Sequence, residues 1–401
     1  MKTKLFFVAM LAFIGLKVNA QTAYISNYDD STVSVINLAT NTVVDSIKVG
    51  ANPLGVSVSP DGSKVYITNN FGNTVSVINT STNIVIATIP VRSFPIGIAV
   101  TPDGSKAYVA NGHSDSVSII NTATNIVIAT IPVGSYPWGV YASPVGNKVY
   151  VTNMEANTVD VISTATNAII DTIAVGTHPC GISGSPDGSK VYVGNYLDNT
   201  VSVINTAVDT ASLLDYWGTG PEGISVSPDG KRVYVANYMD DNVSVINTVT
   251  NTSLGEITVG SYPDGVSVNS DGSKIYVANY GSNTISVIDS GSYTASAIAV
   301  GHGPNAFGNF ISSHTQPVGF ASQSIVSANI GLYPNPANDN ITIECPQAAV
   351  IEITNIQGQL IKTFATTGNN TIIDISALHV GVYVVKMKTE KGVEVKKFIK
   401  E

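Results

Sequence analysis

The chain has 401 residues, enough for two domains or one large ring, and only 12% of them are charged, roughly half the share usual in soluble proteins. Its net charge of −9 is unevenly placed: between Gln21 and Ile311, 21 acidic residues oppose 9 basic ones, whereas residues 332–401 are balanced. An acidic body without a basic stripe excludes sequence-independent nucleic-acid binding, which needs cations to displace counterions.

The chain opens with Lys2 and Lys4, an apolar run Leu5–Leu16 and a small-residue site at Val18-Asn19-Ala20. This order is that of a secretory signal peptide over 1–20, cleaved between Ala20 and Gln21. The run is too short to span a bilayer, so no transmembrane helix is expected in the mature chain. Export permits disulfides, but Cys180 and Cys345 are the only cysteines and lie far apart, so stability must come from packing.

From Gln21 one phrase recurs: SPDGSKVYITN (59–69), TPDGSKAYVAN (101–111), SPVGNKVYVTN (143–153) and three further copies. Tyr24, Tyr66, Tyr108, Tyr150, Tyr192, Tyr234 and Tyr276 fall every 42 residues. A period near 40 built of short strands and turns predicts propeller blades. In the second unit the four strands are expected at 55–59, 64–68, 74–79 and 84–91. The Asp-Gly of the phrase turns the first into the second. Pro90 and Pro132 fall inside fourth strands, which makes those strands edges and sets the first strand along the central channel. The chain starts at a second strand, and Pro304–Ile311 aligns with a first strand and nothing more. Pairing these ends removes both exposed edges, so an all-β, seven-bladed propeller over 21–311, closed by its N- and C-terminal strands, is predicted. The YVTN, YVAN and YVGN strands following PDGSK resemble the YVTN-type seven-bladed propeller repeats of surface-layer and exported proteins. The likeness spans about three quarters of the chain and implies fold and export more firmly than activity.

Ser312–Gly331 is uncharged and Ser-rich and reads as a linker. Residues 332–401 lack the 42-residue echo and alternate as a small Ig-like antiparallel β-sandwich, with strands expected at 350–355, 360–365, 371–375, 382–388 and 393–399. Leu332-Tyr333-Pro334-Asn335-Pro336, then IDISALHVGVYVVKM (373–387) and a final KGVEVKKFIK (391–400), resemble the C-terminal sorting domain of type IX secretion in Bacteroidota. That resemblance implies handling by the type IX secretion machinery, passage across both membranes, and release or display outside the outer membrane, with removal of the tail.

Chemistry must be sought where the repeat varies, because fold alone does not give function. Loops entering the first strands and loops between second and third strands share one propeller face. They bring nine acids, Arg92 as the sole basic side chain, and a set of aromatics to that face. The candidate ligand-binding residues are Tyr28, Asp29, Phe94, Tyr136, Trp138, His178, Tyr196, Glu222, Tyr238, Asp240, Tyr262, Asp264 and Tyr280. Rings beside carboxylates suit sugars, whose C–H faces stack while hydroxyls donate, and also cationic groups. The bland reading is that the rings fill gaps between blades and the acids keep the surface soluble. Converging loops favour binding for the face as a whole. His113, His178 and His302 share the face but come from different blades without HxH or HExxH spacing, so they are weak metal candidates. No cofactor is expected, with Ca²⁺ the ion an acidic face could take. GTGPEG (218–223) matches GxGxxG but joins two strands and opens no helix, so it is discarded as a phosphate loop.

Three functions fit: a non-catalytic surface module binding a glycan, peptide or protein; a metal- or acid/base-dependent enzyme in the manner of propeller lactonases or lyases; and a structural surface-layer component.

Overall fold

The computed structural model describes residues 19–214, 216, 218–312, 316–317, 331–345, 349–355, 360–366, 369–389 and 392–401. The expected signal peptide, apart from its last two residues, and most of the linker lie outside them. The chain divides into two compact units, Met1–Val318 and Gly319–Glu401. Among the described residues there is no α-helix.

In the first unit each full repeat folds into an antiparallel sheet whose strands follow in chain order. The second repeat runs Pro53–Val58, Lys64–Asn69, Thr74–Asn79 and Ile84–Pro90. The first strands of successive sheets pack side by side, and the fourth strands are outer edges. Pro90 and Pro132 end their strands on that edge, where no ladder donor is missed. This all-β arrangement is propeller-like.

The recurring phrase is explained by contacts between sheets. The repeated tyrosines are at most 1% exposed. The Thr of YVTN reaches the next first strand: Thr68 Oγ1 donates to the Ile96 carbonyl at 2.6 Å and accepts from the Gly55 amide at 2.7 Å. The Asn that ends the strand donates to hydroxyls of the third strand, as Asn69 does to Thr74 and Ser76 at 2.9 Å. The repeated lysine also crosses sheets, since Lys64 and Lys106 donate to the Thr122 and Thr164 carbonyls at 2.7 Å. The glycine two residues after each unit's proline lets inner strands touch. A Cβ on Gly139 would stand 2.4 Å from the Cys180 carbonyl oxygen, closer than any side chain can sit.

The segment 304–311 lies with its ends against Thr22–Asn27, the first strand of the three-stranded first sheet. Asn27 bridges to Pro304 and Ala23 to Ile311, with the Tyr24 amide donating to the Phe310 carbonyl and Asn305 to Ser26, each at 2.9 Å. Its middle departs from the expected pairing: Phe307–Asn309 runs parallel to Pro53–Val58, with Phe307 opposite Gly55. Ala306 occupies the position that is glycine in the six full units. It adopts φ +53, because its Cβ cannot enter the close approach the glycines allow. The turned segment lies against first strands around the centre, and Phe307 is buried beneath Trp138.

In the second unit, Gly331–Tyr333, Asn340–Cys345 and Asn369–Asp374 form one sheet, and Leu360–Thr366, Ala349–Asn355, Gly381–Thr389 and Gly392–Lys400 another. Both contribute to a core that includes Ile341, Ile343, Ile351, Ile353 and Phe398. The strands at 331–333 and 340–345 were not anticipated. Within the Leu332–Pro336 motif, the Tyr333 hydroxyl donates to Glu344 at 2.7 Å and Asn335 Oδ1 accepts from the Ile399 amide at 2.9 Å. The motif thereby ties the start of the unit to its last strand.

Candidate functional site

The site forms at the sheet ends where each proline begins a first strand. The residue before that proline is Asn52, Phe94, Tyr136, His178, Gly220, Tyr262 or Gly303, and every one has positive φ between 52° and 65°. Asn and Gly adopt this conformation readily, whereas bulky residues do so at a cost. Phe94, Tyr136, His178 and Tyr262 therefore occupy strained positions. They are held there by partners 21 residues upstream: the Phe94 and His178 amides donate to Asn73 and Asn157 Oδ1 at 2.9 Å, those of Tyr136 and Tyr262 to Asp115 and Asp241 Oδ1 at 2.8 and 2.9 Å.

The same scaffolding accounts for several acids of the face. Asp240 Oδ2 accepts from the Thr219 amide at 2.6 Å and Asp198 Oδ2 from Thr177 at 2.5 Å. Asp30 accepts from the His302 amide and contacts its ring, at 2.6 and 2.9 Å. Of the sequence candidates, Asp240 is thus placed as a loop anchor. Asp29 stays exposed beside Tyr280.

The residue after each proline holds the same place at the start of its first strand, below the loops of this face, with Trp138 and Glu222 half-buried and the others buried. Going round, these are Leu54, Ile96, Trp138, Cys180, Glu222, Asp264 and Asn305. The mouth is therefore two-sided. On the apolar side the rings of Phe71, Phe94, His113, Tyr136, Trp138 and Phe307 form a chain with centroid spacings of 4.0–6.3 Å, Phe94 stacking on His113 at 4.0 Å. On the polar side Tyr196, Tyr238, Tyr280 and Tyr28 stand in the same four sheets as Cys180, Glu222, Asp264 and Asn305. Tyr238 stacks on Tyr262 at 5.1 Å and meets Tyr196 edge-on at 6.3 Å.

Glu222 and Asp264 are the unusual groups. Asp264 is 3% exposed. Glu222 can be reached by solvent from the channel but is walled by protein, which removes most of its hydration. Desolvation pushes the Glu222 carboxyl up to about 7. Desolvation, and then Glu222, push Asp264 well above the carboxylate range, against the lowering effect of Asn305. Asn305 Nδ2 donates to Asp264 Oδ2 at 2.5 Å, and no lysine or arginine offsets either acid among the described residues. Burial, then Glu222 and Asp264, raise the Cys180 thiol, the opposite of what a nucleophile requires. Asp264 Oδ1, Asn305 Oδ1 and Trp138 Nε1 are buried without a hydrogen-bond partner among the described residues.

The histidines do not converge. His113 stacks on Phe94, His178 faces Glu155 at 3.7 Å and His302 faces Asp30. No three His, Cys, Asp or Glu side chains among the described residues gather as a metal site. Asn305 and Phe307 escape sequence reasoning because they lie in the closing segment and read there as strand. Alignment on the residue after each proline is the signal that finds Asn305. A cavity of about 390 Å³ opens at the other end of the channel, lined in part by Ser57, Tyr141, Ser183, Ser225, Ser267 and Asn309. The sequence analysis placed nothing there.

Comparison with known proteins gives the class first. The chain is similar in fold to a Kuenenia stuttgartiensis hydrazine synthase structure (24% identity, 67% of this chain and 92% of that one, TM-score 0.62). It is likewise similar to a functionally unknown protein from Desulfotomaculum acetoxidans (22%, 74% and 100%, 0.64) and to a candidate 6-phosphogluconolactonase from Bacteroides uniformis (18%, 71% and 98%, 0.63). At these identities the likeness is one of fold, and it is to propeller-like proteins. No curated protein matches the sequence. Residues 331–401 match the family described as secretion system C-terminal sorting domain. The protein carries a type IX sorting domain behind a propeller-like body, which directs it to the secretion machinery and to the cell exterior, secreted or on the outer-membrane surface. No helix of the described residues is long and apolar enough to cross a membrane.

Proposed function

We propose that the protein is a non-catalytic binding module delivered outside the cell, with a seven-bladed ring over 21–311 presenting one face to its ligand. Residues 1–20 act as signal peptide, 312–331 as linker and 332–401 as an Ig-like sorting unit. The ligand, a glycan, peptide or protein, is taken at the two-sided mouth by Tyr28, Phe94, Tyr136, Trp138, Tyr196, Tyr238, Tyr262 and Tyr280 with Glu222 and Asp264.

The observation that carries this reading is the strain. Four of seven equivalent positive-φ positions hold Phe, Tyr or His where the others hold Asn or Gly, at a cost of about 1–2 kcal/mol each. Rings held at converging loops are what a recognition surface requires. A panel of glycans and surface peptides against the full chain tests it. Binding weakened at least tenfold in Tyr262→Ala and Trp138→Ala, with circular dichroism unchanged, is the expected result. Binding indifferent to both substitutions removes the face from consideration.

One observation favours a second reading, an acid/base enzyme. Glu222, pushed up to about 7, is poised for proton transfer near neutral pH. Turnover of a lactone panel that disappears in Glu222→Gln is its signature.

A further inference from the structure

The polar side of the mouth holds two carboxyls without a cationic partner and more acceptors than the surrounding donors satisfy among the described residues. Glu222 and Asp264 sit on adjacent first strands and act on each other. Neither has a cationic partner among the described residues. Asn305 is 8% exposed, directs its amide nitrogen to Asp264, and leaves Oδ1 without a partner. Asp264 Oδ1 is equally unpartnered. Two buried oxygens and a neighbouring carboxyl thus await a donor, and an unpaired buried acceptor forfeits its hydration. Acceptors so placed favour a group that donates several hydrogen bonds and carries positive charge. A hydroxyl supplies one donor and no charge, leaving most of the deficit in place; an ammonium supplies three donors.

The rest of the mouth fits the remainder of such a molecule. Tyr196, Tyr238 and Tyr280 stand beside the acids, and aromatic faces attract cations. Opposite them, Trp138 above the buried Phe307 offers an apolar wall. The geometry points to a primary alkylammonium as the group recognised here, with the ammonium on Glu222, Asp264 and Asn305 and its methylene stem along Trp138. A lysine side chain and a free diamine share this chemistry. The inference rests on the binding role proposed above and adds the chemical class of ligand.

Occupancy should depend on pH. The titratable groups facing Glu222 are Asp264, Cys180, Tyr196 and Tyr238, and burial raises every one of them. An ammonium binds the ionised form of Glu222 and must displace its proton below about pH 7. Affinity therefore falls up to about tenfold per pH unit there.

The test is titration of the full chain with cadaverine and, separately, with Nα-acetyl-lysine methylamide, by calorimetry and Trp fluorescence at pH 8 and pH 5.5. The expected result is saturable binding of at least one amine at pH 8, at least tenfold weaker at pH 5.5 and in Glu222→Gln, with 1-pentanol silent. Preference for the lysine derivative assigns the source to protein; preference for cadaverine assigns it to free amines. Equal response to pentanol, amine binding indifferent to Glu222→Gln, or tighter binding of Ca²⁺ at the same residues overturns the inference. Asp264→Asn serves as the second variant, and thermal melts verify folding of both. Glycan binding lost in Tyr262→Ala with both amines silent leaves the binding role standing and removes only the ammonium class. Silence to every probe removes both.

Discussion

Glu222 carries a cost that the fold itself does not require, since equivalent positions hold Leu54 and Ile96. Its carboxyl is raised from an ordinary 4.5 to about 7. The folded state therefore holds a proton that the unfolded chain releases, and stability declines as pH rises through that window. Glu222→Gln is expected to raise the melting temperature at pH 8 and to leave it unchanged at pH 4, which calorimetry at the two pH values checks. Tyr262 makes a parallel case through its backbone. It is 47% exposed at φ +54, so Tyr262→Asn, the residue type of the equivalent Asn52, gains up to about 1 kcal/mol while weakening ligand binding. Denaturant titration beside a binding assay reads both effects. A substitution that stabilises the protein and disables it marks a residue kept for function.

Within each sheet, the repeated phrase does structural work that its appearance conceals. Thr152 Oγ1 donates to the Cys180 carbonyl at 2.9 Å and accepts from the Gly139 amide at 2.7 Å. Thr152→Val keeps the shape and orphans both groups, for an expected loss of about 1–3 kcal/mol in urea unfolding. The turn aspartates answer to pH in the opposite sense to Glu222. Asp61, Asp103 and Asp187 are held at about 2, chiefly by the hydroxyls of Ser59, Thr101 and Ser185 and by backbone amides. Their contribution is complete above the ordinary carboxylate range and is lost as pH falls through about 2. A melting temperature that drops between pH 4 and pH 2, and less so in Asp61→Asn, is the expected profile. Their partners are invisible in the sequence because each is a local hydroxyl or amide, not a charge.

At the scale of the molecule, closure is the feature on which the mouth depends. The segment 304–311 bridges to the first sheet at both ends, delivers Asn305 to Asp264 and buries Phe307 under Trp138. Phe310 anchors it with no exposed surface. Phe310→Ala is expected to cost about 3–5 kcal/mol and to loosen the mouth, seen as a lower denaturation midpoint together with altered Trp fluorescence. Tying the segment 304–311 to the first sheet joins the stability of the propeller-like unit to the shape of the site.

The 42-residue period, the tight Asp-Gly turns, the outer prolines and the mismatched ends were all legible in the sequence, because each is a local rule of turn, pleat or edge repeated in phase. So was the sorting unit, whose motif keeps its place at the C-terminal end. The same reading found which face varies and named most of its rings and acids. It could not separate Asp240, a loop anchor, from Glu222 and Asp264, since an acid in a loop looks the same whether an amide or a ligand awaits it. Nor could it see that Ala306 in place of glycine turns the closing strand into the channel. Which carboxyls lack a cationic partner depends on distances between residues 40 or more positions apart, and only the folded chain brings those residues together.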